Sequence, residues 1–139
     1  QHLGGLVPCA LCLVERWPWR AAIVVGLVGA AMPPRAGRWV LGIGLLVLLA
    51  SVAAALVHVG VEQGLWKSPL PECAAPHISG GTFAARLASM PLHPSKPCDA
   101  PTYLIPDLKL SMAAMNLIWS ALVFAAFAAY LTLAVRRRA

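Results

Sequence analysis

Charge is what this 139-residue chain has least of: 12% of its residues are charged, with 5 Asp+Glu against 11 Lys+Arg. A soluble domain carries about 25%. With 60% hydrophobic residues, the composition excludes an ordinary soluble globular protein. Acidic residues are too few to balance the basic ones, leaving a formal charge of +6. In so apolar a chain that excess points to topology signals and anionic lipid headgroups, and away from nucleic acid. The sequence also lacks a His-x-x-His pair and a second two-residue cysteine spacing, so a four-ligand zinc site has little support. No basic n-region with a small-residue cleavage site is read at the start, which is Gln1.

What is present is three long apolar runs in one membrane domain over residues 1–139. Leu11 to Met32 spans 22 residues, about 33 Å as a helix and enough for a hydrocarbon core of about 30 Å. Its first half holds Glu15, Arg16 and Arg20 with Trp17 and Trp19, an interfacial pattern that places its Cys9 end near water. Pro33-Pro34 stops the run, and Arg35, Gly37 and Arg38 complete a tight connection. Trp39 to Val57 has only Ser51 polar, and His58 marks its end. Residues 60–109 are rich in Pro, Gly and charge, the composition of a solvent-side loop. Met112 to Val135 forms the third span and ends at Arg136-Arg137-Arg138.

Orientation follows from the cations. The 33–38 turn and the C-terminal tail hold five Arg and no acid, whereas the loop holds four cations and four acids. The positive-inside rule puts the arginine side and the C-terminus in the cytoplasm and both cysteine pairs, Cys9/Cys12 and Cys73/Cys98, at the exported face, where disulfides persist. Three spans with the N-terminus outside lead us to expect a further helix preceding Gln1.

Cys9-Ala10-Leu11-Cys12 has the spacing of thiol–disulfide redox pairs, in which one thiolate attacks and its neighbour resolves. A half metal site, a static disulfide and two buried thiols are the bland alternatives. A helix beginning near Pro8 sets both cysteines on its first turn, where free amides and the dipole favour an anion. Arg16, four residues beyond Cys12, shares its face and is expected to stabilise a Cys12 thiolate, a reduced quinone oxygen, or both. Glu15 is a candidate proton relay, and His58 a candidate donor to a quinone carbonyl. Against these stand interfacial snorkelling for Glu15 and Arg16 and a capping role for His58. For Arg20, Trp17 and Trp19 the interfacial reading prevails. A disulfide between Cys73 and Cys98 is expected to close the loop, either as a staple or as an exchange partner for the first pair. Between them Phe83, Leu87 and Met90 recur at helical spacing, which suggests a short amphipathic helix on the lipid surface. His2, His77 and His93 form no usable arrangement.

The stretch from Gln1 to Arg16, with its Pro-Cys-x-Leu-Cys-x-x-Glu-Arg core, closely resembles the start of the second membrane helix in the disulfide bond formation protein B (DsbB) family. The resemblance continues through His58 with Glu62-Gln63, the cysteine loop, Pro97-Cys98-Asp99 and Leu110-Ser111-Met112. It implies an all-α, four-helix inner-membrane bundle, of which three spans are seen here. It also implies reoxidation of a periplasmic DsbA-like thioredoxin-fold partner, with electrons passed to ubiquinone or menaquinone, and no metal. Carried over by motif, Cys73 is the sulfur the partner attacks and Cys98 its mate. Cys9 and Cys12 form the membrane-edge pair with Cys12 facing the quinone, and Arg16 contacts the quinone with Glu15 and His58 close by. Two features depart from the family pattern: its first helix is not in the sequence, and Pro18 falls inside a helix that it is expected to kink. A vitamin K epoxide or quinone reductase type of enzyme and a non-catalytic, disulfide-stapled membrane protein are the rival readings.

Overall fold

A computed structural model of the chain describes residues 8–73, 81–88, 96–103 and 108–136. Within them the regular structure is helical: α1 (Ala10–Val14), α2 (Arg16–Ala31), α3 (Pro34–Glu62), a 3-10 turn at Pro71–Cys73, α4 (Phe83–Ala88) and α5 (Met112–Arg136). Among the described residues, two stretches are long and apolar enough to cross a membrane, Ala36–Glu62 with 27 residues and Met112–Ala134 with 23.

The first apolar run is not one straight helix. It breaks at Glu15 into α1 and α2, and the 16 residues of α2 extend only about 24 Å. Pro18 explains the break: it has no amide to offer the carbonyl of Val14 four residues back, and its ring crowds that carbonyl. The connection between the first two runs is also tighter than its composition suggested. Pro33 is the N-cap of α3, and Pro34 opens the helix at a position where no amide partner is needed. Residues 34–38, expected in a turn, therefore belong to the first turns of α3.

α3 is the central helix and packs against both α2 and α5. Its buried positions Leu48, Ser51, Ala55 and His58 recur every three or four residues, the seam that helix packing requires. Ser51 Oγ lies 3.2 Å from Ser120 Oγ of α5, and both hydroxyls are buried. In a lipid-facing bundle such an interhelical bond is worth about 0.6–2 kcal/mol, because the hydroxyls have no water to turn to. Trp19 Nε1 of α2 donates to Asn116 Oδ1 of α5 at 3.3 Å.

The end of α3 is fixed by two glycines. Gly64, at φ 70°, lets the chain turn left-handed, and Leu65 N–H donates to Gly60 O at 2.9 Å while Gly64 N–H donates to Val61 O at 3.1 Å. These two bonds satisfy carbonyls that the last helical turn leaves open. The Trp66 ring then folds back over Gly60, where a Cβ would stand 2.0 Å from the ring, and its Nε1 donates to Val57 O at 3.1 Å. The last turn of α3 thus carries the chain to Glu62, two residues past the loop boundary expected from composition.

At the same end, Ser111 Oγ donates to Glu62 Oε2 at 2.5 Å, Met112 N–H donates to Thr102 O at 2.8 Å, and Tyr103 pairs with Ser111 in an isolated antiparallel bridge. The loop is thereby tied to the start of α5. α4 confirms a short helix between the loop cysteines, with Thr82 Oγ1 accepting from Ala85 N–H and with Phe83 and Leu87 exposed. Met90, His2, His77 and His93 lie outside the described residues.

Candidate functional site

The site forms where α1, the C-terminal end of α3 and the 3-10 turn meet. Cys9 is the N-cap of α1, in extended conformation, and its sulfur accepts from the backbone N–H of Cys12 at 3.2 Å. The N-cap position makes this possible: the amides of a first helical turn have no intrahelical acceptor and turn to whatever anion or lone pair the cap offers. The Cys12 sulfur stands 2.7 Å from that of Cys9. Both cysteines carry free thiols, Cys9 buried and Cys12 half-buried.

The donors thus converge on Cys9, whereas the sequence pointed to Cys12 as the stabilised thiolate. Cys9 precedes the helix and lies outside the two candidate spans. The hydrogen bond from Cys12 draws its thiol down from 9.0 to about 7, against the opposing effect of burial.

Two residues expected near a quinone prove to be partners of each other. Glu15 is 8% exposed and His58 2% exposed, and Glu15 Oε1 lies 3.0 Å from His58 Nδ1. The opposite ring nitrogen, Nε2, is 3.5 Å from the Cys9 sulfur. A carboxylate on Nδ1 holds the proton there and turns the Nε2 lone pair toward the sulfur. Glu15 reaches inward from the residue at which Pro18 interrupts the helix, so the break and the buried carboxylate are one feature. Arg16 begins α2 and is exposed, one turn beyond Cys12, and Arg20 stacks over the Trp17 ring at 5.5 Å.

Cys73 and Cys98 are joined by a disulfide, with Cα atoms 4.9 Å apart. Cys98 N–H also donates to Cys73 O at 3.3 Å, so the bridge is supported by a backbone bond. Its surroundings bear most on function. Cys9, Leu11, Val61, Cys73 and Cys98 form a single buried cluster, with Cys12 and Leu70 packed at its edge. All four cysteine side chains therefore share one end of the molecule, one pair bonded and one pair free.

Comparison with known proteins matches the sequence to a family. The model of the family described as disulfide bond formation protein DsbB fits residues 1–131. Among curated proteins, disulfide bond formation protein B of an Azoarcus species is 34% identical over 74 residues, 52% of this chain and 44% of that protein. Its namesake in a Polaromonas species is 34% identical over 92 residues, 66% of this chain and 51% of the relative. That of Cupriavidus necator is 30% identical over 122 residues, 86% of this chain and 71% of the relative. The chain spans about half the length of the first two of these relatives. No solved structure matches it. With a family model covering nearly its whole length and a bonded and a free cysteine pair packed together at one end of a helical membrane protein, this chain belongs to the disulfide bond formation protein DsbB family.

Proposed function

We propose that this chain carries the redox centre of an inner-membrane thiol–disulfide oxidoreductase, which reoxidises a periplasmic DsbA-like thioredoxin-fold dithiol and passes the electrons to quinone. The single observation that carries the reading is the shared burial of Cys9, Cys73 and Cys98 with Cys12 at the edge, because exchange between two pairs requires their sulfurs within reach.

In the first step a thiolate of the reduced partner attacks the Cys73 sulfur, the Cys73–Cys98 bond breaks, and Cys98 leaves as thiolate. The partner's second thiol then displaces Cys73, so the partner gains a disulfide and the loop pair holds two electrons and two protons. In the second step the loop dithiol reduces a Cys9–Cys12 disulfide by the same exchange and becomes oxidised again. In the third, Cys9 and Cys12 close to a disulfide and release two electrons and two protons. Glu15 and His58 receive a proton from Cys9 along the Cys9 Sγ, His58 Nε2, His58 Nδ1, Glu15 Oε1 line.

The surroundings of Cys12 fit a quinone. Cys12 is the more exposed sulfur of its pair, Leu13, Val14 and Trp17 beside it present apolar surface, and Arg16 adds a fixed positive charge one turn on. Cys12 and Arg16 would hold the ring, with His58 and Glu15 behind them. A bound quinone supplies the acceptor for two electrons and two protons. The arginine excess at the end of the chain opposite the cysteines supports a cytoplasmic C-terminus and a periplasmic cysteine loop.

The test is trapping followed by turnover. Cys98→Ala should accumulate a mixed disulfide between Cys73 and a reduced thioredoxin-fold dithiol, and Cys12→Ser should abolish partner-dependent quinone reduction in detergent. Turnover that survived Cys12→Ser would refute the electron route.

A further inference from the structure

The residues assigned to the electron relay also form a donor set of metal-ligand type. One ligand atom from each of Cys9, Cys12 and His58 lies within 4.8 Å of the others. We propose that, while Cys9 and Cys12 are reduced, these three side chains bind a thiophilic divalent cation of the zinc type, and that metal binding and oxidation of the pair exclude each other.

Four observations carry this. The donor set is two sulfurs and one imidazole, which select zinc over magnesium or calcium. One edge of the donor triangle already has the length of a tetrahedral site. Cys9 Sγ to His58 Nε2 is 3.5 Å, and ligand atoms about 2.0–2.3 Å from zinc stand about 3.5 Å apart for a sulfur–nitrogen edge. The sulfur–sulfur separation of 2.7 Å must widen to about 3.7 Å, a change within reach of a side-chain rotation at Cys12, which is half-buried. Glu15, 3.0 Å from Nδ1 of His58, occupies the outer position that orients and strengthens a metal-binding imidazole. Finally, a dication bound to the two sulfurs offsets the charge of the thiolates it creates beside the buried Glu15 carboxylate.

The chemistry balances without electron transfer. The cation displaces the thiol protons still present on Cys9 and Cys12 and forms two metal–sulfur bonds and one metal–nitrogen bond. Oxidation of the pair removes both thiolates, leaves His58 alone and releases the ion. Zinc bound here therefore holds the pair reduced and blocks its return to the disulfide. This stands apart from the proposed quinone route, since it needs only a reduced pair and neither an acceptor nor a partner.

The experiment is an anaerobic titration of the reduced full chain in detergent with Co2+ as the probe, followed by competition with Zn2+. Expected are thiolate-to-cobalt charge transfer and the visible bands of tetrahedral cobalt at one equivalent, bleached by zinc and absent from protein oxidised beforehand. Cys73→Ala/Cys98→Ala should retain the spectrum. Cys12→Ser, which leaves the His58–Glu15 pair in place, should lose it. His58→Ala should weaken binding and shift the visible bands, and Glu15→Gln should weaken it about 10–100-fold. Three results each overturn the site: no charge transfer in the reduced chain, a spectrum lost with the loop cysteines, or unchanged affinity in His58→Ala. Failure of partner-dependent quinone reduction would leave these bands untouched, so the two readings fail separately.

Discussion

The carboxylate of Glu15 lies 3.0 Å from Nδ1 of His58, although 43 positions separate the two residues in the chain. Both are buried, on α3 and at the break between α1 and α2. The pair links the break imposed by Pro18 to the thiol chemistry at Cys9, because the other face of the same imidazole meets the sulfur. Four outcomes are expected from this geometry and its surroundings.

Removing one member of a buried hydrogen-bonded pair leaves the other unsatisfied, at a cost of about 1–3 kcal/mol. Glu15→Ala should therefore lower thermal stability in detergent by several degrees. A double-mutant cycle with His58→Ala should show coupling above about 1 kcal/mol. Additive effects would mean that the contact contributes nothing.

The Cys9 thiol, drawn down to about 7, should be half ionised near neutral pH. Alkylation of Cys9 in the reduced chain, followed by mass spectrometry, should rise through pH 7 and level off well before an ordinary thiol does. Cys12→Ala removes the hydrogen bond that is the largest cause and should move the rise upward. Since the folded value lies below the unfolded one of 9.0, this group adds stability that is complete above pH 9 and is lost as pH falls through about 7. Denaturant midpoints of the reduced chain should follow that direction over the same window.

Gly60 lies against the Trp66 ring, and a Cβ there would stand 2.0 Å from it. Gly60→Ala should displace the ring, break its bond to Val57 O and shift tryptophan emission to the red. Gly64→Ala should cost about 1–2 kcal/mol through its left-handed backbone, without the spectral change. Identical emission from the wild type and Gly60→Ala would contradict the packing.

Arg16→His exchanges a permanent cation for one that is mostly neutral at pH 7. The Michaelis constant for quinone should rise about tenfold, the effect of losing about 1.4 kcal/mol of binding. The rate of mixed-disulfide formation at Cys73 should stay the same. An unchanged Michaelis constant would take Arg16 out of the proposed quinone site.

Much of this was legible in the chain. The low charge and the apolar runs announced helices at membrane length, and the Pro-Cys-x-Leu-Cys-x-x-Glu-Arg core announced the family. Pro18 announced a disturbance in the first helix, since a missing amide acts on the carbonyl four residues back wherever the chain goes. Phe83 and Leu87 announced α4 by their spacing. Arginines at one end and cysteines at the other already separated the two ends of the bundle.

Other features depend on distances that periodicity does not encode. Glu15 beside two arginines reads as an interfacial charge, and only the approach of α3 makes it the buried partner of His58. Cys12 and Arg16 share a helical face, a local relation that favoured Cys12 as the thiolate. The N-cap geometry of Cys9 instead collects the amide and the thiol of Cys12 on the other sulfur. Composition and local spacing determined which residues were available and which segments were helical, because those follow from a few neighbours along the chain. Packing of α3 against α1 and the loop decided which sulfur, carboxylate and imidazole meet, because contacts among residues 9, 15, 58 and 98 exist only once the helices are assembled.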